Sequence, residues 1–117
     1  MCTDPVLIHT DLNPEHILIS ADEGRLSGII DFGSAATGDP DYDFWCPYRD
    51  HGARFVEGLL RHYPRPRPDR LAGKIPFFRA WDALGQALMG IDGGDPALLS
   101  EGIAGLRVSA SMHPPVP

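Results

Sequence analysis

The hydrophobic period of this chain changes once, near residue 41, and that change restricts the fold more than any other feature. Before it, apolar residues come in short runs bounded by turn formers, and after it they recur at helical spacing. Strands first and helices second predict an α+β fold, with a short antiparallel hairpin followed by about three to four helices. "VLIH" (6–9) is a brief apolar strand. "HILIS" (16–20) and "LSGIIDF" (26–32) flank "ADEGR", whose Asp22, Glu23 and Gly24 are turn formers, so the two runs should pair.

In the helical half, Asp41 to Tyr63 carries Phe44, Trp45, Tyr48, Phe55, Val56, Leu59 and Leu60, and Pro47 suggests a break between two helices. Leu71 to Ile91 carries Phe77, Phe78, Trp81, Leu84, Leu88 and Met89 on one broad stripe, with Pro76 expected to kink that helix or to mark its start. Both stripes are expected to be core. "IDGGDPA" (91–97) reads as a turn between helices, after which Asp95 and Pro96 form an N-cap and first-turn pair.

Length and charge narrow the function. At 117 residues, one small domain is expected, spanning 1–110, with 111–117 as a disordered tail and "YPRPRP" (63–68) as a stiff connector. The formal charge of −6 argues against a nucleic-acid or anionic-membrane surface and suits a cationic small molecule. Cys2 and Cys46 form no disulfide framework, and no apolar run approaches the roughly 20 residues of a membrane span, so a cytoplasmic protein is expected.

The chemistry gathers in "LIHTDLNPEHILIS" (7–20) and "IDFG" (30–33). If residues 16 and 31 oppose each other across the hairpin, His16 and Asp31 project toward one point, a metal-site geometry that a one-residue slip would destroy. Asp11 lies in the loop that Asn13-Pro14 turns sharply, where a carboxylate suits a general base for a hydroxyl. Gly33 is expected to supply a backbone turn that a β-carbon would hinder. A competing assignment takes His9, Asp11 and His16 as the zinc ligands of a metallohydrolase.

"HTDLNPEHIL" followed by "IDFGSAATGDPDYDF" resembles the catalytic loop and metal-binding segment of the aminoglycoside phosphotransferases, relatives of the protein kinases. The resemblance covers about residues 6 to 48, with the catalytic loop at 7–18, the metal segment at 30–45 and helices over 41–110. It implies part of a kinase-like C-terminal lobe. Asp11 would be the catalytic aspartate, and Asp31 would bind the Mg²⁺ that bridges the phosphates of ATP or GTP. His16 stands where most of the family carries a metal-binding asparagine, and "HIL" is similar to the 2''-aminoglycoside branch, where histidine occupies this place. His9 and Phe32 would buttress the loop, Gly33 would follow them, and Asp43 would accept backbone hydrogen bonds from the catalytic loop. The implied partners are a nucleoside triphosphate and a small hydroxyl-bearing substrate, aminoglycoside-like, with macrolides or choline-like alcohols as other members' acceptors.

A kinase-like enzyme also covers its nucleotide with a Gly-rich loop and a lysine from an N-terminal lobe. Only eight residues precede His9, the sole lysine is Lys74 in the helical half, and no G-x-G-x-x-G occurs. The expectation is therefore a C-terminal portion that turns over little alone. The alternative is a non-catalytic remnant or partner-binding module.

Overall fold

A computed structural model describes residues 4–65 and 71–112. The chain divides into two compact units, Met1–Pro68 and Asp69–Pro117. The expected tail from 113 onward, Cys2, and the part of the connector from 66 to 68 lie outside the described residues.

The first unit holds two small antiparallel sheets and two helices: β1 (Val6–Ile8), β2 (Ile17–Ile19), β3 (Leu26–Ile29), β4 (Ala36–Gly38), α1 (Trp45–His51) and α2 (Ala53–His62). The expected hairpin is β2 with β3, closed by a turn in which Gly24 takes a φ of 62°. Its partner for β1 was not expected: Val6, Leu7 and Ile8 pair with Gly38, Thr37 and Ala36. β4 is three residues of Ala, Thr and Gly, which carry no apolar pattern, and its long-range pairing supplies the order that local propensity does not.

The hairpin register departs from expectation. Ile17 faces Ile29 and Leu18 faces Gly28, while Ile19 faces Leu26, so Ser27 is an extra residue on β3. Its hydroxyl donates to the Leu18 carbonyl at 3.2 Å. In the same register the Ile30 N–H donates to the His16 carbonyl at 2.9 Å, so His16 lies opposite residue 30 and not 31.

A 3-10 turn, Pro40–Phe44, leads into α1 and is capped by the Asp39 carboxylate, which accepts the Asp41 N–H at 3.0 Å. Pro47 does not break the helical region. It occupies the first turn of α1, where a missing N–H leaves no bond unmade. The break falls at Gly52, whose φ of 89° and ψ of 177° separate α1 from α2. Ile8, Phe44, Trp45, Cys46, Val56 and Leu60 form this unit's core, while Phe55 and Leu59 of the expected stripe stay exposed.

The second unit is a helical hairpin of α3 (Leu71–Gly93) and α4 (Pro96–Met112). Asp95 caps α4 as expected, accepting the N–H groups of Ala97 and Leu98 at 3.0 and 3.1 Å. Pro76 lies inside α3 and does not mark its start. The aromatic stripe is not the contact face: Phe77, Trp81, Leu84, Leu88 and Met89 are exposed, and of that set Phe78 alone is buried. Small residues make the contact. A β-carbon added to Gly102 would lie 2.5 Å from the Ala87 nitrogen, and one added to Gly90 would lie 2.5 Å from the Leu99 nitrogen. Backbones this close exclude large side chains from between them, so the aromatics are left on other faces.

Candidate functional site

The site is built where β1 ends. Beyond Ile8 the chain must turn sharply, and Thr10 takes a left-handed φ of 76°, a conformation unfavourable for a β-branched residue. Asp43 holds that turn. Its Oδ2 accepts the His9 N–H at 2.8 Å and its Oδ1 accepts the Thr10 N–H at 2.9 Å. Both oxygens of one carboxylate thus satisfy adjacent backbone donors that no strand partner reaches. The Thr10 hydroxyl adds a bond to the Ser34 carbonyl at 3.1 Å.

His9 is buried, and its ring is fully committed. Nε2 donates to the Ile30 carbonyl at 2.8 Å, and Nδ1 accepts the Asp11 N–H at 3.1 Å. Phe32 packs edge-on at a ring separation of 4.5 Å. With one nitrogen protonated and the other occupied, His9 has no lone pair for a metal, and the zinc assignment loses a ligand. Its bonds instead tie the Asp11 loop to the end of β3.

Asp11, His16 and Asp31 come together, with one ligand atom from each lying within 4.8 Å of the others. His16 follows the short turn Pro14–His16, and its Nδ1 donates to the Asp11 carbonyl at 2.7 Å. That bond leaves Nε2 pointing to Asp31 Oδ2, 3.3 Å away. Register did not achieve this, since the strands are offset by one from the expected pairing. Asp31 takes a φ of 62°, which swings its side chain back to His16. The left-handed residue is thus Asp31, and the β-carbon expected to hinder a turn at Gly33 would make only an ordinary 3.5 Å contact with Asp31 Oδ1.

The donor set fits a divalent cation. Two ligands at right angles, each about 2.1 Å from an ion, stand about 3 Å apart, close to the 3.3 Å between His16 Nε2 and Asp31 Oδ2. The imidazole proton is held more tightly than usual. The hydrogen bond to the Asp11 backbone does most to raise the His16 pKa above 6.5, partial burial opposes it, and the charges of Asp31, Asp11 and Glu15 add to the rise.

Two participants had no functional signal in the sequence. Asn13 Nδ2 donates to Asp11 Oδ1 at 2.7 Å, and Arg49 Nη2 donates to Asn13 Oδ1 at 2.7 Å. Asn13 reads as a turn residue before proline, and Arg49 reads as a surface helix residue 36 positions away. Only the fold joins them.

A carboxylate beyond a short strand, an imidazole and a carboxylate gathered beside it, and a further carboxylate bracing the loop make up the arrangement that the kinase-like resemblance implied. Residues 3–75 match the phosphotransferase enzyme family, APH, and the chain belongs to that family. It is 38% identical over 69 residues to the uncharacterized protein YcbJ of Bacillus subtilis (strain 168), and 42% identical over 64 residues to a homoserine kinase of Granulibacter bethesdensis. Those stretches cover 59% and 48% of this chain, but 21% and 19% of the two relatives. Among solved structures, 92% of the chain superposes on the GDP complex of aminoglycoside 2'-phosphotransferase-IIIa, with a TM-score of 0.76 and 34% identity. A GDP and kanamycin complex of APH(2")-IIia gives 0.77 and 36% over the same share. Macrolide 2'-phosphotransferase type I gives 0.71 and 34% over 87% of the chain. The chain spans 35–37% of the length of these three structures. Among the described residues no helix is long and apolar enough to cross a membrane.

Proposed function

We propose that this chain is the hydroxyl-activating and cation-binding portion of a nucleoside-triphosphate-dependent O-phosphotransferase for a small molecule. The observation that carries this is the convergence of Asp11, His16 and Asp31 within 4.8 Å, on the segment that matches the family. Asp11 is the catalytic carboxylate: Oδ1 is taken by Asn13, which leaves Oδ2 to accept the acceptor's hydroxyl proton. The acceptor oxygen forms a bond to the γ-phosphorus, the bond to the β-γ bridging oxygen breaks, the proton passes to Asp11 and a nucleoside diphosphate leaves. His16 Nε2 and Asp31 would hold the divalent cation, Mg²⁺ in the first instance, which when bound neutralises charge on the transferring phosphates. His9, Phe32 and Asp43 hold the loop in place.

GDP in two of the similar structures supports a nucleotide as donor, with guanine the base in those relatives. The aminoglycoside and macrolide relatives support a hydroxyl-rich and preferably cationic acceptor. No Gly-rich phosphate loop of the kinase kind occurs in the 117 residues, and on this reading the chain by itself turns over little. Calorimetric titration with GTP or ATP, with and without Mg²⁺, tests the proposal. Nucleotide binding that requires the cation and disappears in Asp31→Asn supports it. Absence of cation-dependent binding would make the segment a non-catalytic remnant.

A further inference from the structure

We propose that Asn13 and Arg49 are positioning residues that keep Asp11 off the cation and reserve its carboxylate for the acceptor hydroxyl, an inference that rests on the cation site proposed above. Asp11 belongs to a cluster able to surround an ion, and a carboxylate in reach of a divalent cation is drawn to it. A carboxylate bound to the cation is a poor proton acceptor, so something must hold it away.

The geometry shows what does. Asp31 meets the His16 ring at Nε2, 3.3 Å away, whereas Asp11 Oδ2 meets it at the opposite nitrogen, Nδ1, at 3.7 Å. Asp11 Oδ2 thus sits beside Nδ1 and not at the Nε2 that faces Asp31, although an Asp11 oxygen stays within 4.8 Å of the other two ligand atoms. Asn13 Nδ2 fixes it there through Oδ1 at 2.7 Å. The Asn13 amide could do this in only one of its two orientations, and Arg49 selects that one. A guanidinium only donates, so the group 2.7 Å from Arg49 Nη2 must be the Asn13 carbonyl oxygen, and the amide NH₂ must face Asp11. Arg49 is itself set by Asp50, whose Oδ1 and Oδ2 accept from Nε and Nη2 at 3.0 and 3.1 Å. The chain of single bonds thus runs from α1 through Asn13 to the catalytic carboxylate, anchored by the two-pronged Arg49–Asp50 contact that lysine would not reproduce.

Mn²⁺ binding to the 117-residue chain, measured by water-proton relaxation, tests the inference because it makes the sign of the effect decisive. Releasing Asp11 gives the ion a further carboxylate, so Asn13→Ala and Arg49→Met should bind Mn²⁺ roughly tenfold more tightly than the parent. Simple damage to the loop would weaken binding instead. The tightening must vanish when Asp11→Asn is added to either variant. Arg49→Met leaves the loop's own backbone bonds in place, so it keeps the test valid if Asn13→Ala fails to fold. Unchanged or weaker Mn²⁺ binding in Arg49→Met, or a tightening that survives Asp11→Asn, overturns the positioning role while leaving the cation site standing. No Mn²⁺ binding by the parent chain overturns the cation site itself, and the positioning role with it.

Discussion

Replacing Asp43 with alanine should unfold the first unit more readily than any other single loss of a polar group near the site. The carboxylate accepts two backbone N–H groups, from His9 at 2.8 Å and Thr10 at 2.9 Å, and the second belongs to a residue in a left-handed conformation. Hydrogen bonds to a charged acceptor contribute about 1.5–3 kcal/mol each, and stranding the donors adds to the loss. Asp43 is only half-buried, which puts each bond near the low end, and relaxation of the strained Thr10 returns part of the loss. The expected net cost is about 3 kcal/mol, a large share of the roughly 5–15 kcal/mol typical of a domain. Asp43→Asn keeps one acceptor oxygen and should cost about half as much.

The assay can be confined to the right unit. Trp45 is 2% exposed in the first unit, whereas Trp81 is 57% exposed in the second, so Trp45 fluorescence in a Trp81→Phe background reports the first unit alone. With a urea slope of about 1.5 kcal/mol/M, the Asp43→Ala midpoint should fall by about 2 M. A loss below about 1 kcal/mol at unchanged slope would refute the claim that Asp43 holds the loop.

Three further outcomes follow from the same geometry. In the metal-free chain the His16 imidazole should titrate above 6.5, and Asp31→Asn should lower the midpoint, as read by NMR. A pKa raised by folding means that protonated His16 stabilises the fold fully below its unfolded value, and that this stabilisation is lost as pH rises through the folded value; a midpoint at or below 6.5 contradicts this. The same proton competes with a metal at Nε2, so Mn²⁺ affinity should fall as pH is lowered through that raised midpoint, and pH-independent affinity would exclude His16 as a ligand. In the second unit, Gly102→Ala should destabilise by about 1–3 kcal/mol because its β-carbon would sit 2.5 Å from the Ala87 nitrogen, whereas Gly85→Ala meets nothing within 4 Å and should stabilise by about 0.5–1 kcal/mol; equal thermal shifts for the two would remove the case for close backbone packing.

Much of the site was legible because its chemistry is local. Asp11 and His16 are five positions apart, and the motif around them is what carries the family resemblance that implies their roles. Asp43 was legible only through the family resemblance, since nothing in "GDPDYDF" shows that its third aspartate turns back 34 positions to His9. The join of His16 to Asp31 was foreseen for the wrong reason. Strand register was expected to bring them together, and the left-handed backbone at Asp31 does so in spite of a one-residue offset. Backbone conformation at a non-glycine residue leaves no mark in composition, and the same holds for Thr10. The aromatic stripe of α3 misled because hydrophobic periodicity finds an apolar face without saying which neighbour, if any, meets it. Gly90 and Gly102 carried the better signal, as residues small enough for two helix backbones to touch.

The most direct test of the account is the electron spin echo spectrum of Mn²⁺ bound to the chain. One ion per chain is predicted, with modulation from a single imidazole nitrogen that disappears in His16→Ala, and with binding much weakened in Asp31→Asn. Bound Mn²⁺ lacking that nitrogen signature, or binding indifferent to both substitutions, would contradict the claim that His16 and Asp31 gather a cation beside Asp11.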